Sequence, residues 1–140
     1  MGIKIGIIGS RRRDTKADLA IVTNALYDIF MKGDVIVSGG CKKGGDKFAE
    51  IIAEELGAQI IIYLPDRSKL DPDKMKKNPK WAFAEINYAR NTLVAKNSHC
   101  LIACVAPDRK GGTEDTIKKF LKFVGCTEEE AIKIKILYLV

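Results

Sequence analysis

The 140-residue chain has a single histidine and a single tryptophan, and its four cysteines include no C-x-x-C pair. With only His99, Cys41, Cys100, Cys104 and Cys126 to draw on, zinc-type spacing is absent and no metal site is expected. The cysteine pattern suits a reduced protein, so a cytoplasmic setting is expected. Long apolar runs are also lacking. The longest are of strand length, and Lys4 interrupts the first, so neither a signal peptide nor a membrane span can be drawn and no membrane partner is expected. Aromatic residues make up 7% of the chain, too few to suggest a row of rings for stacking successive bases.

Two nucleotide-binding motifs are missing as well. No G-x-G-x-x-G is present, which argues against ordinary dinucleotide-dependent hydride transfer, and no cofactor is expected. Four residues separate Gly40 from Gly45, as in a P-loop, but Asp46 and Lys47 follow where such a loop has Lys and Ser or Thr. No hydroxyl is placed for magnesium. Repeats, low-complexity tracts and linkers are absent too, so residues 1–140 read as one domain.

Hydrophobic residues make up 46% of the chain and charged residues 30%, an ordinary globular balance, with a net charge of +6. Apolar strands are expected at 3–8, 35–37, 59–64, 101–105 and 134–140. Between them fall amphipathic helices: one opened by a Thr15–Asp18 capping box, one starting near Asp46 and stopping at Gly57, one starting at Asn78-Pro79, and one stopped by Gly125. The third of these should bury Ala82, Ile86, Ala89 and Leu93. Residues 67–78 read as an exposed loop, and Thr127 to Glu130 as a capped turn. Alternation of apolar strands and helices predicts an α/β fold, a Rossmann-like three-layer sandwich with a mostly parallel sheet of about five strands and helices on both faces.

Three glycine-bearing turns sit at expected strand ends, where ligands of such sheets bind. They are Gly9-Ser10-Arg11, Ser38-Gly39-Gly40 running on to Gly44 and Asp46, and Gly111-Gly112-Thr113. Glycine lets a backbone approach a ligand, and the helix behind each turn offers free N–H groups and roughly half a positive charge. Together these features outline a phosphate site. Arg11-Arg12-Arg13 and Lys42-Lys43 add cationic charge to two of the turns. Ser38 is a candidate donor and Asp46 a candidate ribose acceptor or helix cap, while the N–H groups around Gly40 and Gly44 are favoured over either side chain. Thr113 is expected to cap its helix and hold a phosphate, with Glu114 and Asp115 suiting the helix dipole. Arg90 and Asn91, with Asn87, form a polar edge on their helix, where Arg90 either clamps a phosphate or makes a surface ion pair. Trp81, Phe83 and Tyr88 lie near that helix, and core packing is expected for at least two of them. His99 is expected to be structural.

Taken together, these turns resemble the SLOG superfamily, Rossmann-like domains that include the YspA-type group and the Rossmann-like domain of the DNA-processing protein DprA. The resemblance rests on Gly9-Ser10-Arg11, Ser38-Gly39-Gly40 through Gly44 and Asp46, Arg90-Asn91, and Gly111-Gly112-Thr113, in register over almost the whole chain. It implies a site for a nucleotide or nucleotide-derived ligand, in a sensor or an enzyme. The cytokinin-activating phosphoribohydrolases of this superfamily use a P-G-G-x-G-T-x-x-E loop and a helical arginine, which Arg90 would match. Here Asp108-Arg109-Lys110 replaces the start of that loop and Thr116 stands at the glutamate position, leaving Glu114 or Asp46 to supply a carboxylate. Three functions therefore stand: a nucleotide-binding module, an N-glycosidase acting on a nucleoside monophosphate with Glu114, Asp46 and Arg90 as candidate catalytic groups, and a binder of single-stranded nucleic acid. A homo-oligomer is compatible with each.

Overall fold

A computed structural model describes residues 2–140. Five strands alternate with six α-helices: β1 (Lys4–Gly9), α1 (Lys16–Ile29), β2 (Val35–Ser38), α2 (Gly45–Leu56), β3 (Gln59–Ile62), α3 (Pro72–Lys77), α4 (Pro79–Lys96), β4 (Cys100–Cys104), α5 (Gly112–Val124), α6 (Glu128–Lys133) and β5 (Leu137–Leu139). All strand pairs are parallel, in the order β3-β2-β1-β4-β5. This is the Rossmann-like α/β sandwich that the alternation of apolar strands and helices predicts.

Period-two alternation in the strands builds two cores. Ile5, Ile7, Cys100, Ile102 and Cys104 face one side of the sheet, where Val22 and Leu26 of α1 and Phe48 and Ile52 of α2 cover them. Leu101 and Ala103 face the other side, against Val94 of α4 and Ile117 and Phe120 of α5. Cys100 and Cys104 therefore share one face, as their four-residue spacing requires. Burial, aided by the Asp34 charge, pushes the Cys100 thiol up to about 11, so it stays protonated. His99 has a structural contact: its Nδ1 accepts the Lys4 N–H at 2.8 Å, tying the start of β4 to β1.

Helix boundaries follow the capping chemistry. Thr15 and Asp18 form the full capping box of α1, Asn78 accepts from the Trp81 N–H at the start of α4, and Gly57 and Gly125 end α2 and α5 in the left-handed conformation. Thr127 and Glu130 make a second capping box, and it opens a true helix, α6.

Two expectations fail. Residues 67–78 are not a plain loop: they hold a 3-10 turn at Arg67–Lys69 and then α3, opened by Asp71 as cap with Pro72 behind it. The same Asn/Asp-Pro signal that marks α4 was present there, but the lysine-rich segment buries nothing and gives no apolar stripe to read. In α4, Ala89 and Leu93 are exposed, and the buried line is instead Ala82, Ile86, Asn91, Val94 and Ala95. The helix is rotated so that a polar residue lies in its buried face, because that face continues past the sheet edge onto the turns.

Candidate functional site

The strand order changes direction between β1 and β4, and loops on either side of that point separate to leave a crevice. A cavity of about 460 Å³ opens there at the carboxyl edge of the sheet. Its walls come from the β1–α1 turn (Gly9, Ser10, Arg11), the β2–α2 turn (Gly39, Cys41, Asp46), the α4 face (Asn87, Arg90, Asn91) and the β4–α5 turn (Gly111, Gly112, Thr113). The structure thus brings ten of the sequence-derived candidates to one cavity. It leaves Ser38, Gly40, Gly44 and Glu114 outside its lining.

In the β2–α2 turn, side chains hold the glycine segments on both sides of Lys42 and Lys43. Ser38 is fully buried; its Oγ donates to the Asp46 carbonyl oxygen and accepts the Gly40 N–H at 3.1 Å. The Gly39 N–H donates to Asp46 Oδ1 and the Cys41 N–H to Asp46 Oδ2, while the Gly44 N–H donates to Asp14 Oδ1 at 2.9 Å. Ser38 is therefore not free to donate to a ligand, and the N–H groups of Gly40 and Gly44 are already engaged. Nor does Asp46 cap α2. The N-cap of α2 is Gly44, with no side-chain cap, and Asp46 reaches backwards to hold the preceding turn. Burial pushes the Asp46 carboxyl above its ordinary range, against the nearby Arg90 charge and the two N–H donors.

Several glycines here are packing residues. A Cβ on Gly45 would overlap the backbone of Ile8, and one on Gly9 would sit 2.9 Å from the Gly45 nitrogen, so β1 and α2 touch backbone to backbone.

The β4–α5 turn is arranged differently. Gly111 is the N-cap of α5, with φ +117°, and no side chain caps the helix. Thr113 therefore lies inside the first turn instead of capping it. Among the described residues, nothing accepts from the N–H groups of Gly111, Gly112 or Thr113, and all three line the cavity. At Gly112 φ is ordinary, and a Cβ would meet only Asn91 Nδ2, at 3.8 Å. Neither backbone strain nor packing demands glycine at Gly112; the open space before it belongs to the cavity.

Side chains from α4 join the two turns. Arg90 donates through Nη1 to the Gly39 carbonyl and through Nε to Asn91 Oδ1, and it forms no surface ion pair among the described residues. Asn91, 8% exposed, donates to the Gly112 carbonyl and to Asp115 Oδ2 at 3.2 Å. The arginine run divides. Arg12 pairs bidentately with Asp108 and also reaches the Lys110 carbonyl, fastening the β1–α1 turn to the β4–α5 turn. Arg13 bonds Asp18 and the carbonyls of Val105 and Val140. Arg11 is exposed at the cavity rim and enters no ion pair among the described residues.

Glu114 points away, bound to Arg109, which also holds Glu128; these carboxylates drive the guanidinium pKa upward. Of the aromatics, Trp81 and Tyr88 are about half exposed, against the expected core packing; Tyr88 lies at the cavity mouth with the Lys119 ammonium 5.5 Å from its ring centre. Sequence reasoning missed Cys41, Lys110 and Arg12 as individual wall or clamp residues. Lys110 was legible as the neighbour of the glycine pair, but nothing local links Arg12 to Asp108, 96 positions away.

No group of metal-ligating side chains is found among the described residues, and none of the described helices is long and apolar enough to cross a membrane. No protein-family model matches the chain. It is 28% identical over 117 residues to the transcriptional regulator GfcR of Archaeoglobus fulgidus, a match that takes in 81% of this chain and 54% of the regulator, so the chain spans about half the length of that relative. In structure it is similar to a molybdenum cofactor binding protein of the phototrophic bacterium Rippkaea orientalis, with a TM-score of 0.65 and 19% identity over all of this chain and 90% of the other. Together with the parallel sheet, that similarity establishes the Rossmann-like fold.

Proposed function

We propose that the cavity binds the phosphate of a nucleotide or nucleotide-derived small molecule, and that the protein is a binding or sensing module of SLOG type. The observation that carries this is the uncapped start of α5. Three N–H groups with no protein acceptor belong to residues that line a cavity at the positive end of a thirteen-residue helix, among them a glycine that the fold itself does not need. Such a helix end ordinarily receives a side-chain cap, and an anion from solution supplies the same acceptor. Arg90 and Arg11 add charge to the same space, Arg90 with donors to spare after its two contacts. The structural relative is described as a molybdenum cofactor binding protein, which accords with a fold that carries a small ligand, and the sequence relative as a transcriptional regulator, which accords with sensing.

Hydrolysis of an N-glycosidic bond is the weaker reading. Glu114 is held by Arg109 outside the cavity, and both oxygens of Asp46 accept from the turn beside it.

Titration with AMP, ADP-ribose and NAD, read as a thermal shift, tests the proposal. Gly112→Val should abolish the shift while the ligand-free melting temperature stays within a few degrees. A folded Gly112→Val protein that binds as well as the parent would eliminate the site. Release of free base from AMP, lost in Asp46→Asn, would instead establish turnover.

A further inference from the structure

A second cavity, of about 350 Å³, adjoins the first along the β2–α2 turn. Arg11, Cys41, Asn87 and Arg90 line both, so the two spaces share walls. The second is lined by four cationic side chains, Arg11, Lys42, Lys43 and Arg90, and by no acidic one. Lys42 and Lys43 form no ion pair among the described residues.

A pair of surface lysines is usually just a solvated face. Two features set this pair apart. Their turn is held from both sides, by Asp46 at Gly39 and Cys41 and by Asp14 at Gly44, so the lysine backbone is fixed at the cavity rim. Four like charges around one concave space also repel one another and focus a positive potential into it, and an anion placed there relieves both.

On the reading that the start of α5 holds a phosphate, we infer that this annex is a second anion subsite and that the ligand carries two separate anionic groups, as a phosphorylated dinucleotide does. One group sits at Gly111–Thr113. The other sits among Arg11, Lys42 and Lys43, with the nucleoside between them passing Tyr88 and Asn87, which line the first cavity. Arg90, on the shared wall, faces both groups.

Calorimetric titration of the full chain with AMP and with the 5′-phosphorylated dinucleotide pApA tests this. pApA should bind about tenfold or more tightly than AMP. The double variant Lys42→Ala/Lys43→Ala should lose roughly that factor for pApA and keep its AMP affinity within about twofold. Equal affinity of the parent for the two ligands overturns the annex, as does a pApA affinity untouched by the double substitution. Affinity that keeps rising from pApA to a twenty-nucleotide oligodeoxyadenylate overturns it in favour of a polynucleotide track. Failure of the underlying phosphate site is separately visible, because AMP binding would then survive Gly112→Val.

Discussion

The two double-glycine turns look alike in sequence, and both lead into a helix without a side-chain cap, but they differ in how the loop before the helix is held. In the β2–α2 turn the N–H groups of Gly39, Gly40, Cys41 and Gly44 are all taken by Asp46, Ser38 and Asp14. Its glycines serve close packing and left-handed backbone, with φ +72° at both Gly40 and Gly44. In the β4–α5 turn no protein group among the described residues accepts from the N–H groups of Gly111, Gly112 and Thr113, and these residues line the cavity. A glycine-rich turn after a strand can offer its N–H groups to a ligand only where no neighbouring carboxylate or hydroxyl has already taken them. Asp46 makes that difference in the first turn. In the second, the nearest carboxylates are committed elsewhere, Glu114 to Arg109 and Asp115 to Lys119 and Asn91.

The contrast can be broken most sharply by adding one methyl group to each turn. Gly45→Ala forces a Cβ into the backbone of Ile8 and should cost about 3 kcal/mol, whereas Gly112→Ala should stay within about 0.5 kcal/mol of the parent, both read from urea unfolding. Similar losses at the two positions would mean that the second turn is as internally constrained as the first.

A smaller effect separates the turns by pH. Burial holds the Asp46 carboxyl above its ordinary value in the folded state, so folding favours the protonated form. The stability this contributes is fully present below the unfolded value of about 4 and is lost as pH rises through the folded pKa. The melting-temperature advantage of the parent over Asp46→Asn should therefore shrink as pH rises from 4 towards 7. A constant difference would show that Asp46 titrates alike in both states.

The least effect is expected at Thr113. Thr15→Ala removes a side-chain cap and should cost about 1 kcal/mol. Thr113→Ala removes a hydroxyl that caps nothing and should change stability by about 0.5 kcal/mol or less, measured by the same unfolding curves.

Much of the fold was legible because its signals are local. The strands announce themselves by apolar runs, α1 by Thr15 and Asp18, α4 by Asn78-Pro79, and the ends of α2 and α5 by Gly57 and Gly125; each depends on residues within a few positions of one another. The helix at 72–77 was misread because it lacks a buried stripe, and α4 was misread by its rotation, which only its neighbours set. The site was less legible. Three glycine turns at strand ends could be placed at one edge of the sheet, but their occupancy could not be read. Which N–H groups are open depends on Asp14 reaching Gly44 across thirty positions, and the relative placement of the turns depends on Arg12 meeting Asp108 across ninety-six. Hydrogen bonds of that range are invisible to spacing along the chain. The sequence by itself determined a parallel α/β sheet with glycine turns at its carboxyl edge, because backbone periodicity and capping are short-range. Only the tertiary structure decided which turn stays open, because that is settled by which side chains from distant segments reach its N–H groups first.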